Sequence, residues 1–288
     1  MTVHLEAHRL AEGDGPQLVF LHALGALTSG RYATELAGLL NESCGAGMVG
    51  LDAPGFGDAP VAARDDYEVS GYAAVVAERI RGLGLDRPVL VGHSWGGVVA
   101  CHVTARAADA VSGLVLLDAG HVDYPDQVPP GIGSDHQVAG LIAGFEAATA
   151  ELTVDTEEAL EAAEQEGVRR PLTPAMRAGV RAGFRHAGGR WTPIASPQAR
   201  AWAMTALGVD RVSSTWPAIA GSGLGVLLLL ASEPSEAREA NVVASERFRA
   251  AIPQADAVFV EGGGHDLLAD AGPAVARTVH AWLLRSVS

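Results

Sequence analysis

Short runs of continuously apolar, β-favouring residues recur along this chain and alternate with longer stretches of helical periodicity. The runs lie at residues 18–21, 48–51, 88–91, 113–117, 225–230 and 257–260, preceded by an alternating segment at 3–10. Unbroken apolarity is what a strand needs when helices cover both of its faces. The helical stretches lie at 30–40, 69–83, 96–107, 241–251 and 273–284; in the last, Val275, Val279, Trp282 and Leu283 share one face. This rhythm predicts an α/β fold with a mostly parallel central sheet flanked by helices. It lapses between about Asp123 and Trp216, where Ala- and Glu-rich helical patterns are interrupted by Pro and Gly and no strand stands out. The rhythm resumes at Gly225, so an insertion within one sheet fits better than a second independent domain. The expected division is a core of 1–122 and 217–288 and a helical cap of 123–216.

Composition narrows the function. Hydrophobic residues make up 48% of the 288 and charged ones 19%, enough for a large packed core and too apolar for a disordered chain. The formal net charge of −14 repels phosphate backbones and anionic lipid, so neither nucleic acid nor a membrane surface is an expected partner. All 20 basic residues are arginine. Without lysine, Schiff-base catalysis and a lysine-dependent phosphate loop are excluded. Cys44 and Cys101 are too few and too far apart for a disulfide framework or structural zinc site, and read as small apolar groups. The N-terminal residues lack the apolar core of a secretory signal. The longest apolar run, 223–231, is half of the ~20 residues of a membrane span and reads as a buried strand. A cytoplasmic protein is expected.

The strongest chemical signal is Gly92-His93-Ser94-Trp95-Gly96, a G-x-S-x-G match directly after one expected strand and before one expected helix. That context is a nucleophile elbow. A turn this sharp strains the serine backbone and needs small neighbours, and it holds the hydroxyl out beside the positive end of the next helix. Serine needs a base. Among ten histidines, His265 stands out in Gly262-Gly263-Gly264-His265-Asp266, a glycine loop between the last expected strand and helix. His93 is expected to pack beneath the elbow, His22 to brace its loop and His102 to sit in the core or on the surface; His121, His136, His186 and His280 have no supporting motif. The oxyanion is expected to meet two backbone N–H groups, Trp95 after the nucleophile and Leu24 in His22-Ala23-Leu24-Gly25. No His/Cys/Asp/Glu spacing points to a metal, and no cofactor is expected.

Together these pieces resemble the α/β-hydrolase fold superfamily, in its serine-nucleophile form with a helical cap. His22-Ala23-Leu24-Gly25 stands where the family has H-G-x-G, and Asp52-Ala53-Pro54-Gly55-Phe56-Gly57 matches its D-x-P-G-x-G turn. The Ser94 elbow and Gly264-His265-Asp266 complete a likeness running from about residue 18 to 285. Ala23 replaces the usual glycine, a departure expected to stiffen or narrow the oxyanion loop. The resemblance implies a triad carboxylate, usually placed after strand 225–230, where this chain reads Ala231-Ser232-Glu233-Pro234-Ser235-Glu236. Some members carry it after the preceding strand, which offers Asp118 in Leu116-Leu117-Asp118-Ala119-Gly120. Asp118 is the favoured acid, with Glu233 and Glu236 as alternatives; Asp52 and Asp58 read as turn residues.

The implied activity is cofactor-free hydrolysis of a small ester, lactone or thioester through an acyl-enzyme on Ser94, with His265 as general base. Serine at the elbow argues against epoxide hydrolase and haloalkane dehalogenase chemistry, which need a carboxylate there. The insertion supplies Phe145, Phe184, Trp191, Trp202 and Trp216, and Trp95 adds an indole at the elbow. They either hold the cap to the core or line an apolar pocket for an acyl, lactone or aryl group. The acidic stretch 157–166 reads as a solvated helix face, and Arg181 and Arg185, four apart, share a helix face that could meet a carboxylate. The same triad could serve C–C bond hydrolysis, perhydrolysis or biosynthetic acyl transfer, or persist in a ligand receptor without turnover. A nucleotide-binding Rossmann protein would need G-x-G-x-x-G after the first strand, which residues 21–30 lack. Oligomeric state is left open.

Overall fold

Each apolar run becomes a strand in the computed structural model, which describes all residues except 1, 2, 4, 26, 129–130, 166–167 and 287–288. The strands are β1 (Glu6–Ala11), β2 (Gln17–Leu21), β3 (Gly47–Asp52), β4 (Val89–His93), β5 (Gly113–Leu117), β6 (Phe184–Ala187), β7 (Arg190–Pro193), β8 (Gly225–Ala231) and β9 (Ala255–Val260). The helices are α1 (Thr34–Cys44), α2 (Val69–Gly82), α3 (Trp95–Arg106), α4 (Asp135–Glu151), α5 (Glu157–Gln165), α6 (Pro174–Arg181), α7 (Pro197–Leu207), α8 (Trp216–Ser222), α9 (Ser235–Ala251) and α10 (Leu267–Ser286). Seven strands form one sheet in the order β1-β3-β2-β4-β5-β8-β9. Every pairing in it is parallel except β1 with β3.

The continuous apolarity is explained by two cores. Leu114 and Leu116 of β5 point into the layer containing Val76, Val99, Ile219 and Phe248. Val115 and Leu117 point the other way, into the layer containing Leu36, Leu40, Val279 and Trp282. Side chains alternate across a strand, so a sheet covered on both faces needs apolar residues at odd and even positions alike. Burying each such side chain contributes roughly 1.5–3 kcal/mol. Among the described residues, no helix is long and apolar enough to cross a membrane.

The segment between β5 and α8 is mostly helical, but it also contains the antiparallel hairpin β6–β7, which the periodicity reading misses. Its strands are too short to show alternation. The signal was the Gly188-Gly189 pair, which turns the chain with φ of 60° and 77°. Two expected helix starts also move. Helix α9 begins at Ser235, ahead of its apolar periodicity, because its first turn is exposed; α10 begins at Leu267 and passes a break at Ala271, ahead of Pro273.

Two readings of charge are corrected. The acidic stretch is not wholly solvated: Glu164 is buried, held by Arg177 at 2.8 Å and Arg181 at 2.7 Å. Its last position, 166, lies outside the described residues. Arg181 and Arg185 do not share a helix, since α6 ends at Arg181 and Arg185 lies on β6. Glu164 and Glu157 both pair with Arg181, through its Nε and Nη1.

Candidate active site

Strand β4 ends at His93 and α3 begins at Trp95, so the whole reversal falls on Ser94, with φ 52° and ψ −121°. That is a costly conformation for a residue with a Cβ, held here by its surroundings. The glycines around it are steric necessities. A Cβ on Gly96 would stand 2.3 Å from the Leu21 carbonyl oxygen, and one on Gly92 would stand 2.5 Å from the Gly96 carbonyl oxygen. Gly96→Ala is therefore expected to destabilise the protein by about 1–3 kcal/mol, read as a lowered urea midpoint. An unchanged midpoint would mean the elbow is loosely packed.

His265 comes from the loop between β9 and α10. Its Nε2 lies 3.0 Å from Ser94 Oγ, and its Nδ1 lies 2.7 Å from Asp118 Oδ2. Several contacts fix that loop. His93 Nε2 donates to the His265 carbonyl at 2.9 Å, Gly264 N–H donates to Asp270 Oδ2 at 2.8 Å, and Ser232 N–H donates to the Gly263 carbonyl at 2.9 Å. His93 thus sits beneath the elbow as expected, and burial lowers its pKa, which keeps it neutral.

Asp118 sits just past β5 at φ 47°, a region Asp tolerates better than most residues. Its amide donates to the Leu229 carbonyl at 2.7 Å, tying it to β8. The carboxylate accepts from the Ala231 amide at 2.9 Å and from Asn241 Nδ2 at 3.1 Å, both on Oδ1. His121 Nε2, 2.9 Å from Asn241 Oδ1, orients that amide in turn. Burial alone would raise the Asp118 carboxyl, but the His265 and Ala231 hydrogen bonds outweigh it and hold it below its ordinary value. The reciprocal bond from Asp118 raises His265, against its own desolvation. Glu233 and Glu236 are exposed, and neither hydrogen-bonds His265. Proline at 234 and the outward course into α9 carry both away from the imidazole, whereas adjacent parallel strands bring Asp118 to it.

Asn241 was expected only as a helix start, and His121 carried no motif. A third residue missed in the sequence is Tyr124, in the turn after β5, whose phenol is pushed up by burial, against the influence of the neighbouring Ser94 hydroxyl.

The two expected oxyanion donors differ in how they are aimed. Trp95 N–H is the first amide of α3, and such amides have no acceptor within the helix. For Leu24, the preceding peptide sets the direction. The Ala23 carbonyl accepts from Thr28 Oγ1 at 2.6 Å and from His22 Nδ1 at 2.7 Å. In a trans peptide the N–H points opposite to the C=O, so the Leu24 N–H faces away from those anchors. His22 braces this loop as expected: its Nε2 accepts from the Ala53 amide at 3.0 Å, which leaves Nδ1 as the protonated nitrogen. Asp52 likewise serves the adjoining turn, taking the Gly30 and Asp58 amides, while Asp58 meets Arg31.

Most of the aromatic side chains hold elements together. The Trp95 indole is buried and stacks on Tyr72 at 5.2 Å, so it faces the core. Trp216 donates to the Gly120 carbonyl at 3.0 Å, Trp202 packs on Tyr67, Trp191 stacks on His186, and Phe184 packs with Leu160 and Val180. A cleft of about 250 Å³ is lined by Gly25 and Thr28 of the loop after β2 on one side and by Asp266, next to His265 in sequence, on another. Among the described residues, no group of three or more His, Cys, Asp or Glu side chains is placed to hold a metal ion.

Residues 16–213 match the family model of the alpha/beta hydrolase fold, and the chain belongs to that family. Epoxide hydrolase 3 of Xenopus tropicalis is 35% identical over 118 residues, covering 40% of this chain and 31% of the relative. Haloalkane dehalogenase 2 of Mycobacterium tuberculosis is 32% identical over 110 residues, covering 38% of this chain and 37% of the relative. This chain therefore spans well under half the length of either curated relative. Among solved structures, the enol-lactonase from Burkholderia xenovorans LB400 has the same fold, with a TM-score of 0.68, 19% identity and 99% of both chains covered.

Proposed function

We propose that the protein is a cofactor-free serine hydrolase acting on a small ester, lactone or thioester. The observation that carries this reading is the continuous line Ser94 Oγ, His265, Asp118, with 3.0 Å and 2.7 Å at its two joints. In this reading His265 takes the Ser94 proton as Oγ attacks the carbonyl, Asp118 holds the tautomer with Nδ1 protonated, and the Leu24 and Trp95 amides receive the oxyanion. The leaving group takes the proton from His265, and water activated by the same imidazole releases the acyl group. Residues 123–216 act as the cap that shapes what reaches Ser94. Epoxide or haloalkane opening, the activity named for the two curated relatives, is disfavoured here because the elbow carries serine where a carboxylate nucleophile would stand.

The test is turnover of short-chain p-nitrophenyl esters with intact-mass detection of an acyl adduct mapped to Ser94. Folded protein that turns over no ester and forms no adduct rejects the reading. A pH profile adds a second check. His265 must be neutral to accept the proton, and Asp118 raises its pKa above the ordinary 6.5. With an uncharged ester, kcat/KM is thus expected to be low in acid and to rise through an ionisation above 6.5. A limb at or below that value would mean the imidazole is not held by the carboxylate.

A further inference from the structure

Arg200, on α7, is only 7% exposed and has no anionic partner among the described residues. Its Nε donates to the Leu24 carbonyl at 2.9 Å, and its guanidinium lies 4.0 Å from the centroid of the Phe145 ring. The Nε edge and one face are therefore occupied, which leaves the terminal Nη edge. Nη1 is buried without an acceptor, and no other hydrogen bond leaves the group among the described residues. Burial lowers its pKa to about 10, so it remains charged at neutral pH. A buried cation with an unmet donor is expensive unless something supplies the missing acceptor.

The side chain lines a cleft of about 570 Å³ whose other wall is the Gly140, Leu141, Gly144 and Phe145 face of α4. The cleft is thus mostly apolar, with Gln137 and one fixed cation in its lining, and that cation is bonded to the loop that presents the Leu24 amide. An apolar wall suits a hydrocarbon body, and the fork of an arginine suits a carboxylate. One guanidinium, with no second cation among the described lining residues, suits a single negative charge better than a phosphate.

We propose that the substrate of the Ser94 site carries a carboxylate that docks on Arg200, with its apolar body along the α4–α7 cleft. This rests on the hydrolase reading and names the substrate class within it.

The experiment compares mono-p-nitrophenyl glutarate with uncharged p-nitrophenyl hexanoate, in wild type and in Arg200→Gln. Wild type is expected to prefer the glutarate, and the substitution to lower the glutarate-to-hexanoate ratio of kcat/KM by roughly 10–100-fold, mainly through KM. Any loss common to both esters measures the hold of Arg200 on the oxyanion loop, which a purely structural role would also produce; the ratio reads the charge. A wild type that prefers hexanoate, or a ratio unchanged by the substitution, overturns the proposal. Wild-type preference alone decides if Arg200→Gln does not fold. If wild type hydrolyses neither ester, the hydrolase reading has failed separately. Calorimetric titration with hexanoate then decides the anion site, supported by wild-type binding and overturned by its absence.

Discussion

Ser94→Ala is expected to lower kcat on an activated ester by about 10⁶-fold, with the protein still folded. The size follows from what the hydroxyl does in this account. It is the atom that forms the bond, and His265 without it has nothing to deprotonate except water. A residual rate above the uncatalysed reaction is expected, because the Leu24 and Trp95 amides remain to stabilise an oxyanion. The strained backbone at position 94 is retained by alanine, so the elbow itself survives. Steady-state kinetics alongside a thermal melt checks both points. A fall of only a few fold in a folded variant would move the nucleophile elsewhere.

Asp118→Asn is expected to lower kcat by roughly 10⁴-fold. The Ala231 amide occupies Oδ1 at 2.9 Å, so an asparagine keeps its oxygen there and turns its NH₂ group toward His265 Nδ1. That nitrogen then has to accept, which places the ring proton on Nε2, facing Ser94. Such a tautomer cannot take the seryl proton. The same change removes the group that raises His265, so the acid limb of the pH profile is expected to shift downward. Near-wild-type rates in Asp118→Asn would remove the carboxylate from the mechanism.

How much of this was legible in the sequence depended on whether a residue's partners were local. Ser94 was legible because its constraint is local: a strand, a helix and the glycines needed between them fall within a few positions. His265 was legible from its glycine loop and its place near the end of the chain. Asp118 was ambiguous, because its claim depends on which strands lie side by side. The pairing of β5 with β8, which sets Leu117 opposite Leu229, brings it within reach of the β9 loop. Asn241 meets Asp118 across 123 positions, and Arg200 meets Leu24 across 176. Neither contact leaves a mark in periodicity or motif. Arg181 shows the opposite error, a plausible ligand group by spacing that the fold commits to Glu164.

The Ser94 hydroxyl is expected to be nucleophilic because of its neighbours, and phosphonylation tests this most directly. Incubating the folded protein with a fluorophosphonate and measuring intact mass, followed by peptide mapping, is expected to give one adduct per chain on Ser94. No adduct is expected in Ser94→Ala, and a strongly slowed one in Asp118→Asn. Folded wild-type protein that stays unlabelled, or carries its adduct on another residue, would contradict the account.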